Sequence, residues 1–185
     1  MNARELAKLK NINHTLTLIK SEFPKFEIIQ KKDSLFMKIL NVLLRIITFN
    51  VQKFFMSKYI TTIGEKVYVP DSWDEMDERS KIIVLRHERI HMLQKKRYTF
   101  LIFSIMYLLI HFPFLVAYCR MRFEKEAYEE SIRLQVALYG KNSAKNEKFK
   151  ESIVKQFTTG AYGWMWIFKS NIEDWFDKTL LKHLH

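Results

Sequence analysis

A long run without a formal charge, "FLIFSIMYLLIHFPFLVAYC" at positions 100–119, constrains the fold of this chain more than any other feature. The run is about as long as a membrane-spanning helix must be. His111 and Pro113 interrupt it, and a proline removes a helical hydrogen bond while an ionisable side chain is costly in hydrocarbon. We therefore expect a buried helical hairpin, or an apolar arm that dips into a membrane, in place of one straight span.

The composition indicates one mostly helical domain. A chain of 185 residues is long enough to bury a core without disulfides or a structural metal, and 4 glycines and 3 prolines leave few turns. We predict a single domain over 1–185, with N-terminal helices at 1–56, a central core at 57–138 and an aromatic-rich helical segment at 139–185. Cys119, the only cysteine, ends the apolar run and is typical of core packing.

The net charge of +11 and the pI near 9.6 predict attraction to an anionic surface. A membrane, a nucleic acid and a cell-wall polymer all satisfy this condition, and the sign of the charge does not choose among them. The first residues are charged and lack the apolar segment of a signal peptide. We expect a cytoplasmic or virion-associated protein with peripheral membrane contact or a place in a larger assembly.

Two stretches near the start have helical spacing. Residues 2–20 place apolar side chains at the intervals of one amphipathic helix, which ends before the first proline. Residues 34–56 are more apolar, but Lys38, Arg45 and Lys53 interrupt them too often for a membrane span. We predict a core helix with a basic face for 34–56, with a helix lying in the plane of a membrane as the alternative.

The residue types at 59–70 differ from those of the preceding helical stretches and predict β-structure. The β-branched and aromatic residues there flank Gly64, and Pro70 ends the stretch, as in a β-hairpin. Ser72 then stands three residues before Glu75, the spacing of a capping box at the start of a helix. We expect that helix to carry the sequence "KIIVLRHERIHMLQKKRY".

That helix contains His-Glu-x-x-His at residues 87–91. Side chains four residues apart share a helix face, so His87 and His91 can offer imidazole nitrogens to one metal ion. Glu88 can lie beside a water that the metal activates and act as its general base. The spacing and the apolar neighbours favour a metal site over a polar helix with incidental histidines.

A catalytic zinc needs a third protein ligand. Arg97 occupies the position where a metzincin would have its third histidine. The next candidates lie on a predicted second helix after the apolar run: Glu124, Glu126, Glu129 and Glu130. A straight membrane span over 100–119 would separate His91 from these glutamates by about 30 Å of hydrocarbon. The shared metal site and the straight span therefore exclude each other.

The sequence "HERIHMLQ" followed by "RFEKEAYEES" resembles the compact gluzincin-type metallopeptidases of bacteria and phages, over the stretch from the hairpin through the second helix. The second signature of these enzymes is a ligand Glu, two further residues, a small Ala and then a polar residue. In this alignment Glu124 is the third ligand and Ala127 is the close-packed small residue. Tyr128 stands where many relatives have Asp or Asn. Aligned with thermolysin-like enzymes, the ligand would be Glu126, with Glu130 four residues on. The resemblance favours Glu124 and keeps Glu126 as the alternative.

The resemblance implies a zincin-like minimal domain of α+β class, mostly helical, with a β-hairpin or edge strand before the metal-binding helix. It implies a zinc metallopeptidase in which His87, His91 and Glu124 hold Zn²⁺ and Glu88 activates the attacking water. The sheet edge would hold a peptide or protein substrate by backbone hydrogen bonds. Further residues are expected to support the site or line the substrate cleft: Gln94, Tyr128, Glu130 and Tyr162.

Two other functions are compatible with the sequence. An interaction protein of a virion or membrane-associated assembly could retain a zincin fold with little or no hydrolysis, as the basic charge and the aromatic-rich C-terminal segment suggest. A protease directed to nucleic acid would use the charge of +11 for binding, and that binding would weaken with salt.

Overall fold

The computed structural model of this chain describes residues 3–47, 49–50, 53–98, 115–159 and 168–184. Within them the fold is α+β and predominantly helical, as expected, and it contains one three-stranded sheet. The helices are α1 (Ala3–Leu9), α2 (Ile12–Glu22), α3 (Leu35–Ile47), α4 (Phe55–Lys58), α5 (Glu78–Tyr98), α6 (Leu115–Tyr139), α7 (Lys141–Ala144), α8 (Glu147–Thr158) and α9 (Lys169–Leu184). The strands are β1 (Glu27–Gln30), β2 (Thr61–Ile63) and β3 (Lys66–Val69), and short 3₁₀ helices lie at Lys31–Asp33 and Asp71–Trp73.

Most of the apolar run at 100–119 lies outside the described residues, so its hairpin or membrane arm stays a prediction. None of the helices in the described ranges has both the length and the apolar character needed to cross a membrane. The chain forms two compact units: the sheet unit, residues 11–82, and the helical unit, residues 1–10 with 83–185. The single domain over 1–185 likewise stays a prediction.

In the sheet unit, the predicted hairpin is confirmed. β2 and β3 pair antiparallel with Thr62 opposite Val67, and Gly64 takes a φ of 62° in the turn between them. Glycine adopts this left-handed backbone without the steric penalty that a Cβ brings. β1 was not expected from the sequence. It pairs parallel to β3, with Ile28 opposite Val67, so β3 is the central strand.

The core of the sheet unit lies against β3. Met37 of α3 and Phe55 of α4 are buried with Tyr68 of β3. Lys31 is buried as well: its Nζ donates to the Phe55 carbonyl at 2.7 Å and lies 3.8 Å from the centroid of the Phe55 ring. Such partners are required because burial without them disfavours a charged ammonium strongly.

The predicted helix at 34–56 is present from Leu35 to Ile47, but the prediction of a core helix is wrong. α3 ends at Ile47, and Met37 is its one buried residue, with Leu40 and Leu44 half-buried beside it. The other apolar side chains of α3 face outward, with 49% to 71% of their surface exposed. Periodicity reveals that a helix has apolar positions, but it does not reveal whether another element covers them.

The single helix expected over 2–20 is two helices, α1 and α2. Asn11 separates them, because its Oδ1 accepts the backbone N–H groups of Asn13 and His14 and so caps the start of α2. The asparagine satisfies donors that a continuous helix would have paired internally.

The helix that carries the histidines begins later than the capping-box spacing predicts. Ser72 lies in a short 3₁₀ helix, and α5 starts at Glu78. Asp77 caps it, since its Oδ1 accepts the backbone N–H groups of Arg79 and Ser80 at 3.0 and 3.1 Å. A carboxylate at this position also interacts favourably with the helix dipole.

The helical unit is built around α6. Met121 and Ile132 of α6 are buried together with Phe157 of α8 and Phe176 of α9, and this cluster forms the core of the unit. α1 also contacts α6. The core therefore fixes the position of α6, whose opposite side carries half of the candidate site.

Candidate metal centre

Three polar side chains of α5 lie along one side of the helix. His87, His91 and Gln94 are four and three residues apart, so they lie one above another. His91 and Gln94 are buried, and His87 is half-buried. Buried polar side chains require hydrogen-bond partners, and α6 supplies most of them.

The facing side of α6 carries Glu124, Ala127 and Ser131, three and four residues apart. All three are buried, and Ala127 is completely so. The amide Nε2 of Gln94 donates to the Phe123 carbonyl at 3.0 Å, so α5 and α6 are in direct contact beside the site. A small residue such as alanine permits this close approach of two helices.

The ligand atoms of three residues converge between these helices. His87 Nε2 and His91 Nε2 are 3.1 Å apart, and each is 3.6 Å from Glu124 Oε2. In the part of the chain that the structure describes, this trio is the group of side chains that could hold a metal ion. Two imidazole lone pairs that face each other at 3.1 Å repel unless a proton or a cation lies between them.

The three atoms fit zinc. Ligand atoms that lie 2.0–2.1 Å from a tetrahedral zinc are about 3.3 Å from one another. The observed separations of 3.1 and 3.6 Å bracket that value. Two neutral imidazoles and one carboxylate also leave the fourth position for water or substrate, which is a common donor set of catalytic zinc sites.

Burial and charge set the protonation of these groups. Burial disfavours a charge on His91, but the Glu124 carboxylate more than offsets this and raises the pKa of His91 to about 9. Burial would also raise the pKa of Glu124, yet the charge of His91 and hydrogen bonds from both histidines hold it well below its usual range. The ionised, buried carboxylate requires a positive group beside it, and a divalent cation meets that requirement.

Each histidine is oriented at the ring nitrogen that faces away from the cluster. Gln94 Oε1 lies 3.0 Å from Nδ1 of His91, and Ser131 Oγ lies 3.1 Å from Nδ1 of His87. Gln94 donates its amide hydrogens to α6, and the Ser131 hydroxyl donates to a backbone carbonyl at 3.3 Å, so both accept from the rings. In the neutral form of each ring Nδ1 therefore carries the proton, and Nε2 is the nitrogen that is left to bind a cation.

Glu88 lies outside the trio of ligand atoms. Its negative charge acts on His91 and on Lys95, which stands seven residues further along α5. Burial lowers the pKa of Lys95 to about 8, an effect that the charge of Glu88 partly offsets. A carboxylate that is close to the cluster but is not a ligand is what a general base requires.

Glu126, the alternative third ligand, also lies outside the trio. Its Oε2 accepts from Nε2 of Gln94 at 2.9 Å, and its Oε1 lies 3.6 Å from Arg97. The Glu126 side chain is 45% exposed, whereas that of Glu124 is 3% exposed. The geometry thus brings Glu124 to the two histidines and leaves Glu126 at the edge of the site.

Tyr128 packs directly on the site. Its ring lies edge-on to His87 with a centroid distance of 4.6 Å, and on its other side it contacts Phe157 of the core. The tyrosine therefore connects His87 to the hydrophobic core. Tyr162, the other tyrosine expected at the site, lies outside the described residues.

Glu130 belongs to an ion-pair network beside the site. Its carboxylate lies 2.8 Å from Arg86 and 2.7 Å from Arg133. Burial would raise the pKa of Glu130, but the two arginines lower it below its usual value. Arg86 precedes His87 in α5, so the network links α5 to α6 without supplying a ligand.

Sequence reasoning missed Ser131 and Lys95. Ser131 stands seven residues after Glu124, and Lys95 seven after Glu88. Because residues seven apart return to nearly the same side of a helix, this spacing is the signal that could have identified both.

Comparisons with protein-family models, with curated proteins and with solved structures found no match for this chain. A functional proposal therefore depends on the side chains of α5 and α6.

Proposed function

We propose that this chain is a small zinc metallopeptidase of gluzincin type with a zincin-like core. The observation that carries the proposal is the convergence of His87 Nε2, His91 Nε2 and Glu124 Oε2, at 3.1 and 3.6 Å, in a largely buried position. The trio has three protein ligands, whereas a purely structural site would have four, and Glu88 is not among them although its charge acts on His91; both observations support a hydrolytic centre.

Zinc, when bound, would polarise the substrate carbonyl and lower the pKa of water. Glu88 accepts a proton from the attacking water as the water oxygen bonds to the carbonyl carbon. Glu88 then passes that proton to the leaving amine as the C–N bond breaks. Gln94 and Ser131 accept from Nδ1 and so orient each histidine with Nε2 toward the position of the ion.

The substrate in this proposal is a peptide or protein in extended conformation. β2 lies at one side of the sheet, with the order β1-β3-β2 in the described residues, and such an edge can pair with an added strand. Whether this edge holds the substrate stays a prediction.

The test combines zinc analysis with cleavage of a peptide library. Protein purified without added metal is analysed for zinc and incubated with random peptides, and the products are read by mass spectrometry. We expect roughly one zinc per chain and cleavage by the unaltered protein. Glu88→Gln should retain the zinc and lose turnover by roughly 10²–10⁴-fold, because it removes the base and keeps the ligands.

The matched control is Glu129→Gln. Glu129 is a neighbouring glutamate of α6 that pairs with Lys182, away from the ligand trio. It should leave zinc content and turnover unchanged. Protein that takes up no zinc on reconstitution, or a Glu88→Gln variant that cleaves as fast as the parent, would contradict the proposal.

A second candidate function is an interaction protein of a membrane-associated assembly. One observation favours it: the outward side chains of α3 form an exposed apolar surface, and such surfaces often mark interaction sites. One zinc per chain with no cleavage of any library peptide would favour this candidate over the first.

A further inference from the structure

The sheet unit exposes a continuous apolar surface on α3. Seven side chains of this helix point away from the core that Met37 anchors: Leu35, Phe36, Ile39, Val42, Leu43, Ile46 and Ile47. We call them the outer face of α3. Soluble proteins rarely leave so many neighbouring large apolar residues in water, so this face calls for an apolar partner.

The charged residues between Asp33 and Glu65 in the sequence are all positive. From residue 34 to residue 64 the sequence contains Lys38, Arg45, Lys53 and Lys58 and no aspartate or glutamate. Lys58 Nζ also lies 4.3 Å from the ring centroid of the half-exposed Phe54. Apolar and aromatic groups bordered by lysine and arginine match a surface that is hydrocarbon inside and anionic outside.

The end of α3 adds a second, independent observation. The N–H of Phe49 donates to the Ile46 carbonyl and that of Asn50 to the Arg45 carbonyl, which is the hydrogen-bond pattern of a Schellman motif. Phe49 occupies the position where glycine is usual, with a φ of 48°, and its side chain is 92% exposed. A phenylalanine there is unfavourable for both backbone and solvation, so folding alone does not explain it.

We propose that the outer face of α3, together with Phe49, docks the protein on the surface of an anionic phospholipid bilayer. α3 is too short to cross the hydrocarbon, since a helix of 13 residues spans about 20 Å of the roughly 30 Å required. It lies in the plane of the interface with its outer face among the acyl chains, while Lys38 and Arg45 reach the phosphate groups. The proposal does not depend on the metal centre.

The test is co-sedimentation of the full-length protein with vesicles of phosphatidylcholine alone and of phosphatidylcholine with an equal part of phosphatidylglycerol. We expect binding to the anionic vesicles that weakens with salt. The double variant Ile39→Asp/Ile46→Asp should lower the partition coefficient by at least roughly tenfold. The control is Leu181→Asp: Leu181 is 58% exposed, close to the 53% of Ile39, but lies on α9 of the other unit. It should not change binding.

A variant that removes one positive charge measures the electrostatic contribution to vesicle binding. Lys38→Ser should weaken binding to the anionic vesicles roughly fivefold and leave the weak binding to neutral vesicles unchanged. An equal loss on both kinds of vesicle would overturn the assignment of anionic lipid as the partner.

Phe49→Gly distinguishes a docking residue from a structural one. Glycine relieves the left-handed backbone, so thermal stability should rise by roughly 2–4 °C while vesicle binding falls several-fold. Unaltered binding in this variant and in Ile39→Asp/Ile46→Asp would overturn the proposal. A parent protein that binds no vesicle would also overturn it, and sedimentation would then show whether two copies of the chain associate through this face.

Discussion

The side-chain carbonyl of Gln94 lies 3.0 Å from Nδ1 of His91, and the amide nitrogen of the same side chain donates to the Phe123 carbonyl and to Glu126. One glutamine thus orients a candidate ligand and connects it to the helix that carries Glu124. This arrangement makes Gln94 the main supporting residue of the candidate metal centre.

Replacing Gln94 by alanine should weaken zinc binding by roughly 10–100-fold, because His91 loses the acceptor that orients it. The measurement is competition with a chromophoric chelator. Gln135→Ala is the matched control, since Gln135 also lies on this pair of helices but bonds to Ser143 instead. An affinity that is the same in both variants would remove Gln94 from the site.

The identity of the third ligand can be tested with two isosteric changes. Glu124→Gln should lose zinc by more than the roughly 100-fold expected for a supporting residue, because it removes a buried anionic ligand. Glu126→Gln should change the affinity by no more than a few-fold, since that carboxylate lies outside the trio. The reverse order of the two affinities would make Glu126 the ligand.

Ser131→Ala should lower zinc affinity by roughly tenfold, less than Gln94→Ala. Without the hydroxyl, Nδ1 of His87 loses its acceptor, although the edge-on packing of Tyr128 still holds the ring. Proton NMR of the imidazole N–H groups provides a direct reading: the Nδ1–H signal of His87 should exchange faster in the variant. Ser143→Ala, which removes a hydroxyl outside the site, should leave this signal unchanged.

The Glu130 network predicts a pH-dependent stability. The arginines lower the pKa of Glu130 in the folded protein, so its stabilising effect is present at neutral pH and is lost as pH falls through that lowered pKa. Glu130→Gln should therefore reduce the free energy of unfolding by about 1–3 kcal/mol at pH 7, and the difference from the parent should shrink toward about pH 3.

Urea denaturation with a chelator present measures this difference without a contribution from metal. Glu129→Gln serves as control, because its partner Lys182 is 66% exposed and such pairs contribute little. If the free energy of unfolding of Glu130→Gln is lower than that of the parent by the same amount at every pH, Glu130 acts through packing and not through its charge.

Local chemistry made part of this fold predictable. The spacing of His87 and His91 places them on one side of any helix, and Gly64 between β-branched stretches specifies the hairpin that the structure contains. These features depend on residues close together in sequence. Spacing alone left four glutamates as candidates for the third ligand, and only the resemblance to gluzincins favoured Glu124. The contact between α5 and α6, which brings Glu124 to the histidines, is tertiary and cannot be inferred from spacing.

Other features depend on competition between neighbours or on distant partners. Asn11 and Asp77 cap the starts of α2 and α5, because their side chains accept from free backbone N–H groups. For α5, the sequence offered Ser72 as an equally good cap. The strand β1 is defined only by its pairing with β3, far along the chain. The outward face of α3 has the same periodicity as a buried one, so only the structure distinguishes them.

The ligands of the candidate centre come from two helices, α5 and α6, that are well separated in sequence. A bound ion would therefore act as a removable cross-link, restricting the unfolded chain much as a disulfide does. With Cys119 as its one cysteine, the chain forms no disulfide within itself. The stability of the fold would then follow the free metal concentration around the protein.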